Sequence, residues 1–185
     1  MRKVGVVGGG AIGSFVAARL SRNLDVYVLS KWDGLQHALA ENGGCFTVHT
    51  PEGSAWHSAP VHYLSLKDAK PRAIMLDALI FCTKAPGTAE AAQQCKHMLQ
   101  TSVPEVCLSL QNGIGAAELI ATAMGTQCTV LRGVLSHGVR LLSPGSLLHA
   151  GTGDVFLEGT RGFPVVDAIA QGTHENQSTQ APPVP

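Results

Sequence analysis

The sequence predicts an α/β protein built on a doubly wound, mostly parallel sheet, and three observations predict it. A short β-branched run, Lys3–Val7, passes through a glycine turn into a segment with apolar residues at helical spacing, then into a second strand-like run before residue 30. Two later runs, residues 77–83 (Asp-Ala-Leu-Ile-Phe-Cys-Thr) and 105–110, are nearly continuously apolar, as strands buried on both faces are. Each is followed by a helix-like segment, the alternation that goes with parallel strands and crossover helices.

The elements follow in order. Residues 3–7, the turn Gly8-Gly9-Gly10-Ala11-Ile12-Gly13, a helix over 14–22 carrying Phe15, Val16 and Leu20, and the strand Asp25-Val26-Tyr27-Val28-Leu29 make one βαβ unit. Parallel pairing with a right-handed crossover follows from it. Residues 33–42 predict a helix with Asp33 as N-cap and Gly43-Gly44 as its stop. Between 45 and 64 the period falls toward two. Thr47-Val48-His49 and Val61-His62-Tyr63, separated by Pro51-Glu52-Gly53-Ser54, predict a hairpin excursion. Helices over 88–99 and 116–124, a strand over 128–134, and strand-like runs at 139–142, 146–149 and 154–158 complete the pattern, with Ser143-Pro144-Gly145 as a turn. Residues 1–160 thus form the expected domain. Residues 161–185, polar and then Pro-rich from 172 onward, are expected to be a disordered tail.

Composition narrows the function. The 185 residues are 45% hydrophobic and carry 13 Lys+Arg against 13 Asp+Glu, with no block of like charge. Nucleic acid and anionic membrane are therefore not expected partners. Arg2 and Lys3 ahead of an uncharged stretch imitate a secretory signal, but Gly8, Gly10 and Gly13 interrupt it. Glycine inside a helix costs about 0.5–1 kcal/mol relative to alanine. Five cysteines without a Cys-x-x-Cys pair, in a chain with an adequate core, predict reduced thiols and a cytoplasmic location. The scattered histidines have no metal-ligand spacing, so no metal is expected.

Gly8-x-Gly10-x-x-Gly13 is a weak pattern alone in a chain of 21 glycines, but here it follows a strand and opens a helix. Gly8 can make the tight turn, Gly10 can let the backbone approach a pyrophosphate, and Gly13 can let helix and strand pack closely. The helix opening at Ala11 and Ile12 brings free N–H groups and a partial positive charge to the phosphates. This is the fingerprint of a Rossmann-type dinucleotide site; the plainer alternative is a glycine-rich turn that binds nothing. Roughly twenty residues on, an NAD site would place Asp or Glu at the second strand's end. This chain has Ser30-Lys31. A hydroxyl and a cation suit a 2′-phosphate, so NADP(H) is expected over NAD(H), against the reading of Lys31 as an ordinary exposed lysine.

Further motifs are Thr83-Lys84-Ala85 at the end of one apolar strand, Gln111-Asn112-Gly113-Ile114-Gly115 after another, and Ser136-His137-Gly138-Val139-Arg140. Asn-Gly is a strong turn dipeptide and a strand-end lysine is commonly just solvated, so each has a structural explanation. Ser136 and His137 do not suggest a nucleophile and base, because neighbours in a strand point to opposite faces. Together with the glycine motif and Ser30-Lys31, these segments resemble, in order, the N-terminal domain of the ketopantoate reductase family over residues 1–160. The resemblance implies that Gly8, Gly10 and Gly13 hold the NADPH pyrophosphate and that Lys31 replaces the family's usual arginine at the 2′-phosphate. It implies that Lys84 lies near cofactor and substrate, where it attracts the carboxylate of a 2-keto acid, and that Asn112 is the active-site asparagine that hydrogen-bonds substrate. The implied reaction is NADPH-dependent reduction of 2-dehydropantoate, or a related 2-keto acid, to the 2-hydroxy acid for pantothenate synthesis.

Family members continue into a helical domain that supplies a lysine general acid and a substrate-binding glutamate, and no lysine follows Lys96 here. The chain is therefore expected to be truncated, binding cofactor with little turnover, since such acid catalysis contributes about 10²–10⁴-fold. Two other readings stand beside this. One is a non-catalytic NADP(H)-binding module or redox sensor, its uncovered apolar face taken by a second copy or a partner chain. The other is a non-functional fragment.

Overall fold

The protein is described here as a computed structural model covering residues 2–67, 74–99, 105–125 and 128–158. The tail expected over 161–185 lies outside the described residues. The chain runs β1 (Lys3–Val7), α1 (Ala11–Leu20), β2 (Asp25–Ser30), α2 (Asp33–Glu41), β3 (Thr47–His49), β4 (Ala55–His57), β5 (His62–Ser65), β6 (Ala78–Phe81), α3 (Thr88–Cys95), β7 (Glu105–Ser109), α4 (Ala116–Met124), β8 (Cys128–Leu135), β9 (Gly138–Ser143), β10 (Ser146–Gly151) and β11 (Val155–Leu157).

Seven strands form the main sheet in the order β11-β8-β7-β6-β1-β2-β5. All neighbours are parallel except β11, which runs antiparallel to β8. The winding reverses between β1 and β6. In open α/β sheets ligands bind outside the carboxyl ends of the strands at that point. The expected doubly wound α/β sheet is present, with the central β1 valines Val4, Val6 and Val7 fully buried.

Both faces are covered, which explains the unbroken apolar runs. On one face Phe15, Val16 and Leu20 of α1 pack with Leu35 and Leu39 of α2, with Phe46 just ahead of β3, and with Val48 and Leu147 from a second sheet. On the other, Ala91, Ala92 and Cys95 of α3 and Ile120, Ala123 and Met124 of α4 cover Leu79 and Phe81. The second sheet has four strands, β4-β3-β10-β9. Its inner pair joins β3 to β10 in parallel, Thr47 opposite Ser146, with the His49 ring nitrogen Nε2 3.2 Å from the Ser146 hydroxyl.

Two expectations are corrected. The hairpin partner of β3 is β4, not the run at 61–63. The turn closes tightly, with Thr50 N–H donating to the Ser54 carbonyl at 2.8 Å and Gly53 at φ +88°. The strand at His62–Ser65 instead joins the edge of the main sheet beside β2, in parallel. Alternation marks any half-buried strand, so it could not say which sheet that strand joins. Asp33 is the first residue of α2 rather than its N-cap, which is Trp32, and its carboxylate pairs with Lys67 across the end of β5.

Ser136 and His137 lie in the connection between β8 and β9 rather than within a strand, and they engage different partners. The Ser136 hydroxyl donates to the Asp154 carbonyl at 3.1 Å. The buried His137 faces His149, Nδ1 to Nε2 at 3.0 Å, and both rings pack on Phe15, with centroids at 5.3 and 4.7 Å. No helix among the described residues is long and apolar enough to cross a membrane.

Phe15 therefore ties α1 to both sheets from a fully buried position. Truncation to alanine should cost about 3–5 kcal/mol. Urea denaturation of Phe15→Ala followed by circular dichroism is expected to show that loss, and a cost under about 1 kcal/mol would show that the cluster repacks.

Candidate functional site

The site grows from the turn after β1. Gly8 N–H donates to the Leu29 carbonyl of β2 and Cys82 N–H to the Val7 carbonyl, each at 2.8 Å, so the three strand ends are pinned together. Gly8 holds φ +110°, a conformation that L side chains rarely adopt. At Gly13 the limit is space, because a Cβ would lie 1.8 Å from the Gly8 carbonyl oxygen. Only a residue without a side chain lets the first turn of α1 sit this close to the loop. Gly10 differs, for a Cβ there would meet nothing within 4 Å. Its open side faces a cleft.

Gly10 caps α1 in an extended conformation, with no side-chain cap and no acidic residue in the first turn. The N–H groups of Ala11 and Ile12 precede the first helical hydrogen bond, Ser14 N–H to the Gly10 carbonyl at 2.9 Å. An anion is favoured at such a helix end.

The cleft, about 540 Å³, has Gly8, Gly10, Ser30 and Lys31 on one wall and Thr83, Lys84 and Glu90 on the other, with Leu29, Leu66 and Cys82 behind them. The Ser30–Trp32 turn is anchored. The Tyr63 hydroxyl lies 3.0 Å from both the Ser30 and Trp32 carbonyl oxygens, and the Ser30 hydroxyl accepts from Trp32 N–H at 3.2 Å. Burial raises the Tyr63 pKa, which keeps the phenol a donor. Lys31 reaches across the cleft to Glu90, Nζ to Oε1 at 2.6 Å. Burial pushes the Cys82 thiol up to about 12, so it stands neutral and is a poor nucleophile.

Asn112 opens onto a second hollow of about 320 Å³, lined also by Gln111, Gly115, Glu118 and Arg132. Arg132 is paired there with Glu118 and Glu158. Phe81 of β6 is in register with Ser109 of β7. Lys84 and Asn112 each lie three residues past that pair, at the same edge of the sheet. What joins them is Gln111, whose Nε2 lies 2.6 Å from the Thr83 carbonyl, 2.7 Å from the Thr83 hydroxyl and 2.6 Å from the Thr88 hydroxyl. Two N–H bonds are shared among three oxygens. Every positive φ among the described residues belongs to a glycine, Gly113 and Gly115 included, so Asn112 is not there to supply a left-handed turn.

The fit to a dinucleotide rests on these features: a loop that Cβ atoms at positions 8 and 13 would fill, an open position 10, an uncapped helix start and a cation at the end of β2. Of the candidate residues, Gly8, Gly10, Ser30, Lys31 and Lys84 line the first hollow and Asn112 the second, at the carboxyl edge of β1, β2, β6 and β7, while Ala11, Ile12 and Gly13 form the first turn of α1 and line neither. Sequence reasoning missed Gln111 and Glu90. Gln111 stood beside the more conspicuous Asn-Gly pair. Glu90 sat in a helix first turn, where an acid is ordinary.

The profile of the family described as ketopantoate reductase PanE/ApbA matches residues 4–161. The chain belongs to the ketopantoate reductase family. A curated relative, the 2-dehydropantoate 2-reductase of Halobacterium salinarum, is 31% identical over 112 residues, covering 57% of this chain and 36% of the relative. Among solved structures, the PanE/ApbA family ketopantoate reductase of Ralstonia eutropha JMP134 superposes with a TM-score of 0.72 at 24% identity, over 92% of this chain and 54% of that one. D-mandelate dehydrogenase, solved in a ternary structure with NADH and anilino(oxo)acetate, gives 0.74 at 20% identity, over 92% and 54% of the two chains. The chain thus spans about half the length of these solved relatives and, as expected, matches their N-terminal part in fold.

Two glycine substitutions separate packing from binding. Gly13→Ala drives a Cβ into backbone and should unfold or strongly destabilise the domain, read as a large fall in thermal midpoint. Gly10→Ala has room and should cost about 1 kcal/mol or less while weakening dinucleotide binding in a calorimetric titration. Equal stability of the two variants would contradict the close approach at Gly13.

Proposed function

We propose that this family member binds NADP(H) in the cleft between β1 and β6 and serves the reduction of 2-dehydropantoate, or a related 2-keto acid, to the 2-hydroxy acid. The observation that carries this reading is the glycine turn open at Gly10, set beside Lys31 at the end of β2. Family membership and a structural neighbour solved with NADH support a nicotinamide cofactor.

In this reading the backbone N–H groups at the start of α1 hold the pyrophosphate, and Lys31 meets the 2′-phosphate. The Ser30 hydroxyl, accepting from Trp32 N–H, fixes the turn that presents Lys31. When bound there, the cofactor would supply the hydride for the C2 carbonyl of the substrate. Lys84, exposed at its strand end, attracts the substrate carboxylate, and Asn112 donates from its amide to hold substrate oxygen in place. Gln111 keeps the two loops in fixed relation through Thr83 and Thr88. Cys82 stays protonated and takes no covalent part. The proton that completes the alcohol comes, by resemblance, from the family's helical domain. A cytoplasmic role in pantothenate synthesis fits the reading.

The test is a titration of the purified chain with NADPH and NADH, repeated with 2-dehydropantoate. Losing a charge-assisted contact to phosphate should make Lys31→Ala bind NADPH about ten- to a hundredfold more weakly, with NADH little changed. Lys84→Ala and Asn112→Ala are expected to spare NADPH binding more than they spare binding of the keto acid to the NADPH complex. Binding of neither nucleotide would overturn the proposal.

A further inference from the structure

Lys31 does not stand alone in the cleft. Its ammonium lies 2.6 Å from the Glu90 carboxylate, which comes from α3 on the opposite wall and also accepts from Gln94 Nε2 at 3.4 Å. The two residues are 59 apart in sequence and on separate elements. The position of Lys31 is set independently, by Tyr63 and Ser30 holding the turn on either side of it. Glu90 therefore meets a lysine whose main chain is already held in place. Side-chain exposures of 43% for Lys31 and 63% for Glu90 make the pair solvent-reachable, and such pairs hold together weakly enough to be exchanged for another partner.

That pairing bears on the choice between the two nicotinamide dinucleotides, which differ only at the adenosine 2′ position. A 2′-phosphate brings nearly two negative charges to Lys31, and it must displace Glu90 and then sit near its carboxylate. A 2′-hydroxyl brings no charge and can donate a hydrogen bond to the same carboxylate. The acid that an NAD site places at the end of its second strand is missing at Ser30-Lys31. Glu90 puts a carboxylate at that place from the other wall.

We propose that Glu90 is a specificity-determining residue of the cofactor site: as the counter-ion of Lys31 it competes with a 2′-phosphate and favours a 2′-hydroxyl, holding the preference for NADP(H) below what Lys31 alone would give. The inference rests on the dinucleotide reading of the cleft and adds to it a defined opponent of Lys31. Removing the Glu90 charge from beside the 2′-phosphate takes away a like-charge repulsion and should be worth roughly tenfold in relative affinity.

The test is calorimetric titration of the full chain and of Glu90→Gln, Lys31→Met and the double variant with NADPH, NADH and 2′,5′-ADP, at low and high salt. Glu90→Gln should bind NADPH and 2′,5′-ADP about tenfold more tightly, bind NADH no more tightly than before, and lose the gain in the Lys31→Met background. The gain should shrink in high salt. NADPH binding left unchanged by Glu90→Gln, an equal change for both nucleotides, or a gain that persists without Lys31 would overturn this inference and leave the cofactor site standing. Binding of no nucleotide by any of the four proteins would overturn both. Glu90 is exposed, so its substitution should leave the thermal midpoint nearly unchanged, which confirms that each variant titrated is folded.

Discussion

The contact on which the rest depends is the approach of the first turn of α1 to the loop after β1. With 1.8 Å between a would-be Cβ at Gly13 and the Gly8 oxygen, helix and loop meet backbone to backbone. That distance sets the depth at which α1 lies on the sheet. Phe15 and Val16 consequently reach the buried face, and Phe15 can lie under the rings of His137 and His149. The start of α1 is also left bare at the cleft, because its cap position is Gly10, which has no side chain to offer. One steric fact therefore serves packing and anion binding together, which is why the glycine spacing carries so much information.

The main sheet could be read from the sequence because its rules are local. Lys3–Val7 and residues 77–83 and 105–110 are apolar without interruption because helices cover both faces, and the turn residues between them punctuate reliably. The strand at His62–Ser65 could not be assigned, because its alternation fits equally an antiparallel hairpin and the edge of a parallel sheet; its partner is decided by Tyr27, Val28 and Leu29 far upstream. Of the site, the residues tied to backbone geometry were evident: Gly8, Gly10, Gly13 and the ends of β2, β6 and β7. Glu90 and Gln111 were not, because their roles lie in contacts across 59 and 28 residues of chain, which no spacing rule reports.

The arrangement at the carboxyl edge divides labour between two kinds of support. The glycine-turn side is built from main-chain atoms, which leave little to adjust. The Lys84 and Asn112 side hangs on a single amide, Gln111, shared among three oxygens of Thr83 and Thr88.

The parallel pairing of β3 with β10 has a consequence for how the chain reaches its native state. Thr47 waits for Ser146, so the small sheet joins stretches separated by most of the domain. The opening βαβ unit needs only neighbouring residues and can assemble while the nascent chain is still emerging. The excursion at 47–57 cannot find its permanent neighbour until the hairpin of β9 and β10 has been synthesised. Closing so long a loop is slow, and in the interval the edge of β3 is open to any other strand. The small sheet is therefore completed only by one late event, the arrival of β10.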